Sequence, residues 1–411
     1  IKMINENIRN ILAISEVETL FKLIGDENIY LVGGCIRNAL SNKAVKDIDF
    51  ATILNPDKII NILDHNNIKF LDIGKDHGTI TAIINNNKYE ITTCRSDIET
   101  DGRHALVKYT DNIKEDSNRR DFTINAIYVN FSGQIFDFHN GIDDLNKNKV
   151  RFIGDLEKRI QEDYLRILRF FRFQCDYHEE KNGKEDLLLI QKNLDGLNKV
   201  SKERLWIELK NIIGHENSIQ SLQDMQEIGI FSIIFKEVEV NHNYKKLNDI
   251  LINLSLPNTL SCKLSSLLDN DQHRILDFIK ENPISNIEKE NLLGLSNINK
   301  NIVSYMSMRE ARAALYRLGK SNFINQVLCQ WSKDSNEKTT INWRALVEVG
   351  ASWVKPDFTI KAIDVLNMGI PEGPKLGEIL TELEEWWIDN DFIEDQFSLI
   401  ERLKAICFAQ H

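Results

Sequence analysis

No stretch of this 411-residue chain holds enough consecutive apolar residues to span a bilayer, so a membrane partner is not expected. The first residues, IKMINENIRNILAI, lack the basic start, apolar middle and small-residue cleavage site of a secretory signal. Cysteine is sparse and scattered. Cys35, Cys94, Cys175, Cys262, Cys329 and Cys407 form no CxxC pair and no zinc spacing, which predicts reduced thiols in a cytoplasmic protein. The nine histidines make no ligand cluster, and no His-Asp doublet marks a fused metal-dependent phosphohydrolase domain. Proline is scarce while Asn, Ile and Lys are plentiful, a pattern of genomic base bias more than of structural design. Internal repeats and long disordered tracts are missing as well. Positive charge is not in excess either: Lys plus Arg total 51 against 62 Asp plus Glu, a net charge of −11. Over the whole chain that balance argues against a nucleic-acid partner, but phosphate recognition depends on local patches.

What is present has two textures, and the length itself calls for at least two domains. Up to about residue 150, short β-branched and aromatic runs alternate with Gly, Asn and Asp: NIYLVGGC, DIDFATIL, GTITAIINNNKYEITTC, FTINAIYVNFSG and QIFDFHNG. NNNKYEI reads as a hairpin turn feeding a strand. From about residue 155 onward helical periodicity dominates, in RIQEDYLRILRFFRF, SKERLWIELKNIIG, MREARAALYRLG and GEILTELEEWWI. Weak breaks fall at NGIDDLNKNK, EEKNGKED and between Pro356 and Pro374. The fold class expected is α+β, with strands in an N-terminal domain and helices after it. Trp206, Trp386 and Trp387 are expected to be helical core or inter-helix packing, and SKERLWIEL a helix start with Ser201 as N-cap.

The first block with chemistry is YLVGGCIRNALSNKAVKDIDFAT. Paired glycines, Gly33 and Gly34, at a strand-to-helix turn let a phosphate approach the backbone, and Arg37 in the first turn could add a charge-assisted contact to a triphosphate. Asp47 and Asp49, two apart on a predicted strand, project from one face and repel unless a cation lies near them. Magnesium suits a few carboxylates plus phosphate oxygens. Glu90 in YEITT could complete a two-metal site. A GG turn alone is commonly structural and a DxD commonly solvent-exposed, but in this order and spacing they point to nucleotidyl transfer.

The second block, SNRRDFTINAIYVN, places Arg119, Arg120 and Asp121 before a strand. Arg120 could reach a phosphate or ribose, and Asp121 could accept from ribose hydroxyls; a charged loop closing a strand entrance is the plain alternative. The preceding segment, Arg95 to Asn118, is charged and poorly periodic and is expected to be a long loop. The third block, EDYLRILRFFRF from Glu162, sets Arg166, Arg169 and Arg172 three apart among apolar residues. On a continuous helix Glu162, Asp163, Arg166 and Arg169 share one sector. Salt bridges on an exposed face are one reading, and a grip on a partner with patterned donors and acceptors is the other.

The order GGCIR…DID, HGT (His77 to Thr79), RRDFTINA, NGIDDL, EDYLRILRFFRF and SKERLWIEL resembles the class II tRNA nucleotidyltransferases and bacterial poly(A) polymerases, within the polymerase-β-like superfamily. The likeness is strongest up to about residue 210 and runs more loosely to the end through MGIPEGPKLGEILTELEEWW. It implies a seahorse-shaped molecule: a catalytic nucleotidyltransferase head over residues 1–140, a base-recognising helical neck over 141–215, a helical body over 216–330 and a tRNA-binding helical tail over 331–411. It also implies that Asp47 and Asp49 bind metal, that Gly34 and Arg37 belong to the phosphate turn, and that Arg120 with Asp121 reads the ribose. Asp163, Arg166, Arg169 and Arg172 match the neck motif that binds the incoming nucleotide, which Glu162 opens. Two positions depart from the pattern: Asn38 stands where the family usually has Asp, and Ser41 where a Gly is common.

The activity implied is template-independent addition of CCA to the 3′ end of tRNA from CTP and ATP, with magnesium and release of pyrophosphate. DNA is not an expected partner. A poly(A) polymerase, a CC-adding or A-adding enzyme, or an inactive RNA- or nucleotide-binding protein are the alternatives. The acidic balance and the lack of a basic C-terminal extension favour tRNA over varied RNA. The resemblance further casts Arg95 to Asn118 as the flexible loop that helps the switch from C to A.

Overall fold

The computed structural model describes residues 5–100, 105–177, 184–256, 260–296, 301–392 and 395–409. The chain divides into two units, Ile1–Lys236 and Glu237–His411. Part of the break expected at EEKNGKED lies outside the described residues.

The strand-like runs form β1 (Ile29–Val32), β2 (Asp49–Thr52), β3 (Lys69–Leu71), β4 (Thr79–Ile84), β5 (Asn87–Thr93), β6 (Arg95–Thr100), β7 (Ala105–Tyr109), β8 (Ile127–Val129) and β9 (Ile135–Asp137). Seven of them make one sheet in the order β3-β4-β5-β2-β1-β8-β9, and β6 pairs with β7 separately. In the large sheet only β2 and β5 run parallel; the other neighbours are antiparallel. From Leu156 onward the described segments are helices and their connections, which bears out the α+β expectation.

Local chemistry explains the pairing. Asn85 and Asn86 turn β4 into β5 with φ of 50° and 64°, the left-handed pair that matches the twist of a two-residue hairpin. Alternate residues of β5 (Tyr89, Ile91 and Thr93) are buried, so one face of that strand meets the core. There Phe50 packs edge-on against Phe21 of the helix Ser15–Ile24 at 5.7 Å. The opposite face carries a smaller cluster of Val32, Ala51, Cys94 and Tyr128.

Two expectations about local structure are corrected. Arg95 to Asn118 is not a structureless loop. Its described part contains the antiparallel pair β6–β7 and the helix Ile113–Asn118, whose N-cap Asn112 accepts from the Lys114 N–H. EDYLRILRFFRF is not one helix. It ends the helix Leu156–Glu162 and begins the helix Arg166–Gln174. Asp163 breaks the run because its carboxylate accepts from the Leu165 N–H at 3.2 Å, a local bond that competes with helical pairing.

The apolar side of that second helix packs against the strand domain and the segment that follows it. Phe170 stacks on Phe152 at 5.7 Å, and Phe173 meets Phe122 edge-on at 5.3 Å. In the second unit, one core surrounds Leu247, Cys262, Leu315, Phe323 and Leu346, and another surrounds Ile379, Leu383, Trp387 and Leu403. Trp206 and Trp387 are buried, and Trp386 packs against the latter core, as expected.

NGIDDL is a packing device beneath the loop of Asp121. Asp137 accepts from the Gly141 N–H at 2.8 Å and the Ile142 N–H at 2.9 Å. Asp144 accepts from Thr123 Oγ1 at 2.5 Å. A Cβ on Gly141 would lie 2.3 Å from the Thr123 carbonyl oxygen, so the backbones touch. Gly141→Ala is therefore expected to destabilise the chain by about 1–3 kcal/mol through overpacking. Urea unfolding checks this, and an unchanged midpoint refutes it.

Candidate active site

The sheet brings the acids together. The β1–β2 register sets Asp49 opposite Val32, immediately before Gly33, and the β2–β5 register sets Asp49 beside Glu90. Asp49 is the first residue of β2, whereas Asp47 lies two residues before it in an irregular, exposed segment. Gly33 has φ of 78°, which favours glycine, and the helix Gly34–Leu40 follows. A Cβ on Gly33 would be 4.0 Å from both Asp49 Oδ2 and an Arg120 guanidinium nitrogen. On Gly34 it would be 3.7 Å from the Arg37 guanidinium. The glycine turn thus faces two arginines and a carboxylate at close range.

Burial, then the Glu90 and Asp47 carboxylates, push the Asp49 carboxyl up to about 6, against the pull of Arg120 and Arg37. This local excess of negative charge, made only of oxygen donors, fits a hard divalent cation such as magnesium. Among the described residues no three metal-capable side chains converge on one point. The chain therefore offers the pair Asp47 and Asp49, with Glu90 adjacent on the next strand.

Arg120 is held by Asp116 and Tyr128, which the sequence reading did not single out. Asp116, fully buried, accepts from Arg119 Nε at 2.7 Å, Arg120 at 3.1 Å, Tyr128 Oη at 2.6 Å and the Arg95 N–H at 3.1 Å. Burial alone would raise its carboxyl, but the two arginines and these hydrogen bonds bring it down to about 2. The signal available was helical spacing, since Asp116 lies four residues before Arg120.

Asp121 binds a neighbouring arginine in this arrangement. One oxygen accepts from Arg169 through Nε at 2.9 Å and a second guanidinium nitrogen; the other accepts from the Phe122 N–H at 2.8 Å and Asn125 Nδ2 at 3.1 Å. Despite burial, Arg169 holds its carboxyl well below the usual range.

Asp163 and Arg166 flank the turn between the neck helices; the Arg166 N–H donates to the Asp163 carbonyl at 3.0 Å, but their side chains take other partners. Arg204 donates to Asp163 at 2.7 Å, and Arg166 donates to Glu162 at 2.6 Å, to the Arg159 carbonyl at 2.7 Å and to the Arg119 carbonyl at 3.5 Å. Arg169 and Arg172 both meet Glu208, at 3.4 Å and 2.9 Å. Arg204 and Glu208 sit four apart on the helix Lys202–Ile213 and were missed as site residues. Ser201 occupies that helix's N-cap position, though its side chain makes no capping bond.

The two departures from the family pattern are accommodated. Asn38 Oδ1 accepts from Arg37 Nε at 3.2 Å and a second Arg37 nitrogen at 3.0 Å, and Asn125 Oδ1 accepts from Arg37 at 2.5 Å. Ser41 Oγ accepts from Tyr177 Oη at 3.3 Å.

Comparison with known proteins shows which chains this one resembles. Residues 29–151 match the Poly A polymerase head domain, and residues 185–241 match a domain described as a probable RNA and SrmB-binding site of polymerase A. The mitochondrial CCA tRNA nucleotidyltransferase 1 of Mus musculus is 30% identical over 94% of this chain and 89% of its own length. The CCA-adding enzyme of Staphylococcus epidermidis is 28% identical over 92% of this chain and 93% of its own. Among solved structures, the Bacillus stearothermophilus CCA-adding enzyme in complex with CTP superposes with a TM-score of 0.75 at 21% identity, covering 96% of this chain and 98% of that one. Among the described residues no helix is long and apolar enough to cross a membrane.

The crowding of Asp49 has a measurable consequence. Its carboxyl at about 6 lies above the ordinary 3.8, so ionisation costs more in the folded chain than in the unfolded one. Its contribution to stability therefore falls as pH rises through that interval and stays low above it. In chelator at pH 7.5, Asp49→Asn should be more stable than wild type by on the order of 1–3 kcal/mol, with the difference gone near pH 4. Thermal melts at the two pH values check this, and equal melting at pH 7.5 refutes it.

Proposed function

Because the chain belongs to the CCA tRNA nucleotidyltransferase family, we propose that it adds CCA to tRNA 3′ ends from CTP and ATP without a nucleic-acid template. The observation that carries this reading is that Asp49, the glycine turn, Arg37 and Arg120 lie together, and that Arg166 of the neck turn reaches the Arg119 carbonyl beside Arg120. The B. stearothermophilus structure contains CTP, and a Thermotoga maritima CCA-adding enzyme is complexed with tRNA-CCA.

The reaction is attack of the RNA 3′-hydroxyl on the α-phosphate, with pyrophosphate leaving in line. Magnesium, held by Asp47 and Asp49 with Glu90 beside them, would supply Lewis-acid activation of the hydroxyl and neutralise the leaving pyrophosphate. Gly34 leaves room for the triphosphate at the turn, and Arg37 and Arg120 supply positive charge to it. Asp121 fixes Arg169, and through it the neck, beside the ribose.

Base choice follows from donor polarity. A carboxylate only accepts hydrogen bonds and a guanidinium only donates them. Cytosine presents an amino donor beside the N3 acceptor, and adenine an amino donor beside N1; both suit Asp163 next to Arg166. Uracil and guanine present the reverse order, at a cost of about 1–3 kcal/mol for each buried mismatch. Arg204 holds the Asp163 carboxylate from one side, and the 3.5 Å contact of Arg166 to the Arg119 carbonyl is the one a base most readily replaces. Glu162 keeps Arg166 oriented, while Arg169 and Arg172 neutralise Glu208 and Asp121 beneath the pocket.

In this reading the head (1–140) is catalytic, the neck (141–215) selects bases, and the body (216–330) and tail (331–411) serve the tRNA. A reducing compartment, the cytoplasm, is part of the proposal. Its support is the scattered cysteines with no CxxC pair, although the mammalian relatives are mitochondrial.

The decisive assay offers tRNA ending before CCA, tRNA ending in CC, and unrelated RNA, each with one labelled nucleotide at a time. CMP addition to the first and AMP addition to the second support the reading; an adenylate ladder on any RNA overturns it in favour of a poly(A) polymerase. Asp47→Ala should abolish incorporation with tRNA binding retained, and normal activity in that variant refutes the metal assignment. Asp163→Ala or Arg166→Ala should admit UTP and GTP; unchanged rejection of both refutes templating by this pair.

A further inference from the structure

Asn38 has two ends in use. Its carbonyl accepts from Arg37 at 3.2 Å and 3.0 Å, while its amide nitrogen donates to the Ala44 carbonyl at 3.1 Å. Its own backbone carbonyl accepts from the Lys43 N–H at 2.8 Å. Residues 43–48 form the irregular segment that delivers Asp47 to the start of β2. Lys43 ties the near end of this segment to Asp176 at 2.7 Å. We propose that Asn38 is a positioning residue that sets the Asp47 segment against Arg37, so that metal-binding and phosphate-binding groups keep one spacing. This rests on the function proposed above.

The contact belongs to a longer chain of hydrogen bonds: Arg169 to Asp121, Asn125 to Asp121, Arg37 to Asn125, Arg37 to Asn38, and Asn38 to Ala44. A bridge from an arginine donor to a further acceptor needs a side chain that both accepts and donates. Asn125 makes that bridge from Arg37 to Asp121, and Asn38 makes it from Arg37 to the Ala44 carbonyl. An aspartate at position 38 would keep the contact to Arg37 but would turn a second acceptor towards the Ala44 carbonyl. Alanine would lose both contacts. Both hydrogen-bonding partners of Arg37 are uncharged amides, which leaves its positive charge for a phosphate.

The test compares wild type, Asn38→Asp and Asn38→Ala as full-length protein. Steady-state CMP addition is measured against CTP and magnesium concentration, together with Mn2+ binding to the nucleotide-free protein. For Asn38→Asp we expect kcat to fall and Mn2+ to bind more weakly, each by about tenfold, with the KM for CTP within about threefold of wild type. Excess magnesium should restore its rate, which a merely unfolded variant would not show. Asn38→Ala should also raise the KM. Wild-type kcat and Mn2+ affinity in Asn38→Asp would overturn the proposal, as would a higher KM alone in both variants, since Asn38 would then serve only Arg37. If wild type adds nothing to tRNA, the proposed function fails, while the Mn2+ titration still decides the role of Asn38.

Discussion

The contact between Asp121 and Arg169 joins the strand domain to the neck helix, and the rest of the site is organised around it. Asp121 is largely buried and Arg169 about two-thirds so, and each offsets the other's desolvation. Without Asp121, Arg169 would keep only Glu208, and without Arg169, Asp121 would keep only the Phe122 N–H and Asn125. The remaining oxygen of Asp121 is taken by the Phe122 N–H and Asn125, which leads directly to Arg37 and the glycine turn. The phosphate side and the base-reading side of the pocket are therefore held by one hydrogen-bonded path.

That path also explains how a chain of net charge −11 can handle nucleotides. Arg37, Arg119, Arg120, Arg159, Arg166, Arg169 and Arg172 all lie in the first unit, which itself holds more acids than bases, so the placement of these guanidiniums counts and not the sum. Phe173 is the shared apolar floor: Arg37 lies over its ring at 4.9 Å, Arg172 at 4.5 Å and Arg169 at 5.7 Å. Placing several guanidiniums around one aromatic ring favours their charge without consuming donors. The aromatic residues of RFFRF thus do more than fill a core.

Much of this was legible before any coordinates. The hairpin at Asn85–Asn86, the strand character of DIDFATIL and YEITT, the glycine turn and the burial of Trp206 and Trp387 follow from local propensity and patterning. Local pattern also misled in two places. EDYLRILRFFRF has unbroken helical spacing, yet one side-chain-to-backbone bond at Asp163 divides it into two helices. Arg95 to Asn118 reads as a charged loop because its strands pair with each other outside the main sheet and so show little alternation.

The sequence by itself determined which chemistry is available: paired acids after a glycine turn, an arginine pair before a strand, and an acid–arginine row on apolar backing. These are short-range facts, set by residue type and spacing. The tertiary structure decided who partners whom. Asp163 answers to Arg204, Arg166 to Glu162, Asp121 to Arg169, and Asn38 to both Arg37 and Ala44. Two of those pairings, Asp163 with Arg204 and Asp121 with Arg169, span 41 and 48 residues. Spacing cannot specify these two, because a buried charge takes whichever counter-charge the packing of strands and helices brings within reach.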